Sequence, residues 1–219
     1  FLNHKHYVWR GQKDASWQLQ STLSRLISKE ANKSNVIEKH LENFKYATRG
    51  RRNLNASNSI SKDEWWALGQ HHGLATPLLD WSHSPFVATF FAFKDKEYKG
   101  ERAIYAINTS AYKKKNYKSE SSAKDIDFFK PLSNENSRLV NQNGLFSIGA
   151  IDKSIEEFSR ENFSDDFEWV ALLKFIIKSD ERDDIMKILN RMNINDLTLF
   201  PDLIGASRYV NEQLETDKY

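Results

Sequence analysis

The sequence predicts an α+β fold: a single domain in which several helices flank a small mixed or antiparallel sheet. Three observations carry this expectation. Short runs rich in β-branched and aromatic residues at 6–10, 103–108 and 173–177 have strand character. They are separated by segments whose apolar residues recur at helical spacing, such as 35–48. No repeat or domain-sized linker divides the 219 residues, a length that suits one sizeable core.

Taken in order, residues 6–10 read as a short strand ending at Gly11, with 16–19 continuing it in extended form. A first helix begins behind Ser21, whose hydroxyl can cap the free amides of the first turn. Val36, Ile37, Leu41, Phe44 and Ala47 form the stripe of a second helix, and the polar, basic stretch 49–61 is a loop. Ser61 followed by Glu64 is a capping box that opens a third helix, expected to stop near Gly73. Pro77 forces Thr76 into extended backbone, and Pro85 suits the first position of a helix capped by Ser84. Residues 103–108 are the cleanest strand, 109–124 an exposed excursion, and 127–129 another extended piece. The turn 141–144 enters a short strand, and helices are expected over 180–189 and 203–214.

Composition narrows the function classes. Thirty-two basic residues against 30 acidic ones leave a formal charge of +2, a balance that gives no support to nucleic-acid binding by phosphate neutralisation. The basic runs at 49–52 and 113–118 read as solvated segments. There is no cysteine, which removes disulfides, thiolate nucleophiles and Cys-ligated zinc. No apolar run approaches the roughly 20 residues that span a bilayer. A cytoplasmic protein without a membrane partner is the expectation.

Two segments concentrate chemistry. In Trp9-Arg10-Gly11-Gln12 a guanidinium ends a strand beside unencumbered backbone, an arrangement suited to two oxygens of a phosphate or carboxylate. Taken alone, these four residues favour a structural Arg paired with a buried carboxylate such as Asp80. In Gln70-His71-His72-Gly73, an amide and two imidazoles precede a turn, and Asp80-Trp81 follow after the Pro77 step. His71 is expected to face a cleft in preference to His72 and to transfer protons there. Adjacent histidines lack the i, i+4 spacing of a zinc pair, so no metal is expected. No GxSxG, GxGxxG or Walker loop is present. Trp65-Trp66 reads as core.

WRGQ, followed by QHHGLATPLLDWSHSPFVATFFAF, resembles the FRG domain, a family named for its aromatic-Arg-Gly motif. The Asn-Gln-Asn-Gly-Leu-Phe turn at 141–146 and Leu-Phe-Pro-Asp-Leu at 199–203 are similar to that family as well. Ala75 and Pro77 depart from its pattern, in which Pro and a basic residue are common. The order Arg10-Gly11, Thr76 to Ser82, Ala88 to Ala92 and the strand at 104–107 is more distantly similar to ADP-ribosyltransferases. That resemblance implies that Arg10 holds a phosphate of NAD while Thr76 or Ser82 orients the nicotinamide ribose. The glutamate of those enzymes is missing. Gln142 stands in the corresponding turn and can bond a ribose hydroxyl without acting as a base; Glu156, Glu157 and Glu168 are the substitutes on offer.

The resulting candidates for chemistry are Arg10, His71, Asp80 and Gln142. Those for holding NAD or a related nucleotide are Arg10, Gly11, Gln12, Gln70, Thr76, Trp81, Ser82 and Asn143. Two readings stay open: an NAD-processing effector of bacterial toxin or phage-defence biology, or a non-catalytic sensing module with a protein partner, in which the same residues form a structural polar network.

Overall fold

The computed structural model describes residues 6–51, 60–118, 126–131, 137–149, 151–163 and 170–216. In chain order these form β1 (Tyr7–Gln12), α1 (Thr22–Leu26), α2 (Lys33–Ala47), α3 (Lys62–His71), β2 (Leu78–Ser82), α4 (Pro85–Phe93), β3 (Arg102–Asn108) and α5 (Thr109–Lys118). There follow β4 (Asp127–Phe129), α6 (Ser137–Asn141), β5 (Gly144–Ile148), α7 (Ile155–Asn162), β6 (Leu172–Ile177), α8 (Arg182–Arg191), α9 (Asp196–Leu199) and α10 (Leu203–Thr216). The α+β class is as expected, and the sheet is antiparallel throughout, in the order β4-β5-β2-β1-β3-β6.

The register holds the feature that matters for function. β1 aligns with β3 along its whole length, from Tyr7 opposite Asn108 to Gln12 opposite Ala103. β2 aligns with β5 from Leu78 to Ser82. Between β1 and β2, however, the single register pair is Trp9 with Ser82. The sheet is therefore two three-stranded ribbons pinned at one point, and beyond Trp9 the backbones of Arg10–Gln12 and Leu78–Asp80 diverge.

Alternation along the strands sends successive side chains to opposite faces. Val8, Tyr105 and Ile107 face a core completed by Tyr112 of α5 and by Ile155 and Phe158 of α7. Trp9 and Ile104 face Ala88, Ala92 and Phe93 of α4. A further cluster joins α4 to α8 and α9 through Phe90, Leu189 and Leu199. At the β2–β5 end, Leu78 and Phe146 pack with residues of α1, α2 and α3, including the fully buried Trp66.

The capping signals act as read. Ser61 accepts from the Glu64 amide while the Glu64 carboxylate accepts from the Ser61 amide, and Ser84 caps α4 with Pro85 in its first turn. Gly73, at φ +87°, ends the α3 turn in backbone that favours glycine. One expectation is corrected: residues 109–118, read as part of an exposed excursion, form the helix α5, which is anchored by a buried residue. The Asn108 side chain accepts from the amides of Ser110 and Ala111, opening the helix, and Tyr112 is wholly buried. Its lysines masked an apolar anchor. The 52–59 part of the expected loop lies outside the described residues.

Candidate functional site

The divergence of β1 and β2 opens a groove of about 1440 Å³. Its walls include Arg10, Gly11 and Gln12 from β1, Gln70 and His71 from the end of α3, Asp80 to Ser82 from β2, and Gln142 before β5. The two motifs, some 60 residues apart in sequence, thus meet across one split.

Arg10 spans that split. Its Nη1 donates to the Asp80 carbonyl at 2.8 Å and lies 3.6 Å from the Asp80 carboxylate. Nε is buried with no hydrogen-bond partner, and Nη2 has none among the described residues. Burial pulls the Arg10 pKa down and Asp80 opposes this; the guanidinium stays charged, because arginine is not deprotonated in proteins. Asp80 itself is no buried counter-ion, since 56% of its side chain is exposed.

The other candidates divide. Gln12 is buried, its Oε1 without a partner among the described residues and its Nε2 weakly bonded to the Gln18 carbonyl at 3.4 Å. His71 lines the groove, whereas the exposed His72 does not, although the two rings meet edge to face. Gln142 donates from Nε2 to the Leu199 carbonyl at 3.1 Å and accepts the Ser82 hydroxyl on its backbone oxygen at 2.6 Å. Ser82 also accepts from the Ser84 amide, so its hydroxyl organises the turn into α4. Trp81 touches the groove, but its indole is buried in the core and donates to Ser147 at 2.8 Å. Thr76 and Asn143 are not among the groove walls. Thr76 is buried, donates to Gln70 Oε1 and accepts from the Leu78 amide; Asn143 sits in the turn at φ +45°, its carbonyl taking the His83 amide.

Gly11 has a purpose other than the one read from sequence. A Cβ there would lie 1.9 Å from the Ala88 carbonyl oxygen and 2.6 Å from the Ala92 amide nitrogen. The bare backbone is occupied by α4, which this contact brings directly onto β1.

The substitute glutamates are committed elsewhere. Glu156 accepts from the Leu19 amide at 2.9 Å and from the Tyr105 hydroxyl at 2.9 Å. Glu157 closes the capping box of α7 with Ser154, and Glu168 lies outside the described residues. Burial, reinforced by Glu156, raises the Tyr105 pKa, so this hydroxyl remains a donor.

Several groove residues were not anticipated: Trp17, Gln18, Gln20 and Arg25 on the lip after β1, and Phe200, Arg182 and Arg208 on the far wall. Basic side chains outnumber acidic ones along the groove, which favours an anionic occupant. Part of this charge is spent: Lys94 pairs with Asp196 at 2.6 Å and Arg138 with Asp202 at 2.8 Å. A tryptophan in the otherwise polar stretch after Gly11 is the one sequence signal that could have pointed to the lip.

Residues 5–102 match the FRG domain family. No curated protein and no solved structure matches the chain. The FRG segment covers a little under half of the chain, holds both motifs and ends on the first residue of β3. Gln142, Arg182, Phe200 and Arg208 lie beyond it, so the groove is finished by chain outside the FRG match. Among the described residues no cluster of His, Asp and Glu could hold a metal ion, and no helix is long and apolar enough to cross a membrane.

Proposed function

We propose that the groove binds NAD or a related nucleotide, and that the protein is an NAD-consuming or ADP-ribosyltransferase-like effector of bacterial toxin or phage-defence biology. One observation carries this reading. Arg10 turns a charged, half-satisfied guanidinium toward a predominantly basic groove, and its ion-pair partner among the described residues is a loosely held and half-exposed carboxylate. A planar fork with a free edge binds two oxygens of a phosphate.

In this reading the missing glutamate is replaced by Asp80. Breaking the bond between ribose C1′ and the nicotinamide nitrogen sends the electron pair to nicotinamide and leaves an oxocarbenium-like carbon. A nearby carboxylate stabilises that charge. An attacking water or acceptor hydroxyl then gives its proton to His71. Gln142 Oε1, which takes no hydrogen bond among the described residues, would accept from a ribose hydroxyl. Purified protein incubated with NAD tests this: nicotinamide release that disappears in Asp80→Asn supports it. Intact NAD, together with no heat of NAD or ADP-ribose binding, sinks it.

A second reading draws on a different observation. Arg10, Thr76, Ser82 and Gln142 all make hydrogen bonds that tie the ribbons and their turns together. A non-catalytic module with a protein partner would need only this network. Arg10→Ala would then lower stability and leave nothing else to lose. Wild-type melting in that variant with loss of nicotinamide release would exclude it.

A further inference from the structure

The loop from Lys13 to Ser21 closes the open end of the split, and it is unusually well held. The Ala15 amide donates to the Glu101 carbonyl at 2.8 Å, and Lys174 Nζ donates to the Ala15 carbonyl at 2.6 Å. The Tyr105 hydroxyl reaches the Trp17 carbonyl at 3.2 Å. Leu19 is buried, its amide on the Glu156 carboxylate and its carbonyl on the Ile155 amide. The Leu23 amide then donates to the Thr76 carbonyl at 3.2 Å, bringing the start of α1 beside the entry to β2.

On this pinned backbone Trp17 remains 49% exposed and lines the groove. Nothing in the loop's bonding needs an indole there. Lys13 Nζ stands 5.6 Å from its ring centre and is itself paired with Asp95, so the cation leaves much of the ring uncovered. Arg25 projects from α1 into the same groove. It donates to the Gln20 carbonyl at 2.6 Å and to the Thr22 hydroxyl at 3.2 Å, and among the described residues it has no carboxylate partner. It lines the same groove as Arg10, and its charge opposes that of Arg10. Two guanidiniums lining one groove, with the Asp80 carboxylate only loosely held beside Arg10, call for an occupant with two negative groups.

We infer that Trp17 and Arg25 form a subsite for the base and one phosphate of a diphosphate-containing nucleotide, with Arg10 taking the other phosphate. This rests on the nucleotide reading above and adds to it the class of ligand: a nucleoside diphosphate or pyrophosphate-linked dinucleotide in preference to a monophosphate. The heterocycle stacks on the exposed indole, and each guanidinium holds one phosphate.

Calorimetric titration of the full chain with ADP, AMP and inorganic pyrophosphate tests it. Wild-type protein is expected to prefer ADP over AMP by about tenfold, the effect of one charge-assisted contact. Arg25→Gln should shrink that preference to within about twofold. Trp17→Ala should weaken ADP and AMP alike by about tenfold while leaving pyrophosphate unchanged, since stacking reads the base and not the phosphates. Trp17→Phe should restore most of the loss, and Arg25→Lys most of the charge-dependent part, which separates a ligand contact from a folding defect. An unchanged ADP preference in Arg25→Gln, or unaltered nucleotide affinity in Trp17→Ala, overturns this inference and leaves the nucleotide reading standing. Wild-type protein that binds neither nucleotide overturns both.

Discussion

Replacing Gly11 with alanine distinguishes a glycine kept for packing from one kept for a ligand. The added Cβ falls 1.9 Å from the Ala88 carbonyl oxygen and 2.6 Å from the Ala92 nitrogen, both backbone atoms of α4. No side chain can rotate away, so the helix must retreat by about 1.5 Å to restore ordinary contact. α4 carries Val87, Phe90 and Phe93 into two clusters, and those contacts loosen together. Overpacking usually costs ~1–3 kcal/mol, and a backbone-on-backbone clash belongs at or above the top of that range. About 3 kcal/mol in a chain of this size lowers Tm by roughly 6–12 °C. Gly73→Ala is the control: a Cβ there meets nothing within 4 Å, and only the φ of +87° is unfavourable, for about 1 kcal/mol. Thermal melts of both variants by circular dichroism decide the matter. If Gly11→Ala melts within 2 °C of wild type but loses nucleotide binding, the glycine serves the ligand and the packing explanation is refuted.

Three further outcomes are expected. Arg102 is fully buried and donates to the carbonyls of Ala92 at 2.5 Å, Asp95 at 2.7 Å and Tyr98 at 2.6 Å, all at or just beyond the end of α4. Arg102→Met strands these acceptors at ~1–3 kcal/mol each, so urea titration should show a loss of at least ~3 kcal/mol; a loss under 1 kcal/mol would contradict this. Asp80→Asn should melt like wild type, because a half-exposed ion pair at 3.6 Å contributes less than ~1 kcal/mol, yet nicotinamide release should fall by about a hundredfold or more. The Gly205 amide and Arg138 hold the Asp202 carboxyl below its usual 3.8. A depressed folded pKa contributes stability that is present above the unfolded value and lost as pH falls through the folded one. The stability gap between wild type and Asp202→Asn should therefore be full above about pH 4 and close on further acidification, as acid unfolding curves would reveal; a gap that widens toward low pH would rule this out.

Much of the frame was legible because local signals act locally. Ser61 with Glu64, Ser84 with Pro85, and the β-branched run of β3 dictate structure within a few residues, and each element appears where it was expected. The α5 helix was missed because its cap and anchor, Asn108 and Tyr112, are single residues in a lysine-rich stretch. The two motifs were legible as halves of a site, but the split that joins them is a matter of register between strands far apart in sequence. Gly11 was read as room for a ligand, whereas the space belongs to a helix backbone more than 70 residues later. Trp17 and Arg25 escaped notice for a similar reason. The loop that presents Trp17 is held by Glu101, Tyr105, Glu156 and Lys174, none of which a local pattern connects to it.

The central proposal is that the Arg10 motif and the 70–81 segment form one nucleotide-binding groove. A crystal structure of the protein soaked with ADP-ribose tests it most directly. Density is expected in the split between β1 and β2, with phosphate oxygens within hydrogen-bond distance of Arg10 Nη2 and the adenine against Trp17. A groove that stays filled with water at saturating ADP-ribose, with Arg10 unmoved on the Asp80 carbonyl, would contradict it.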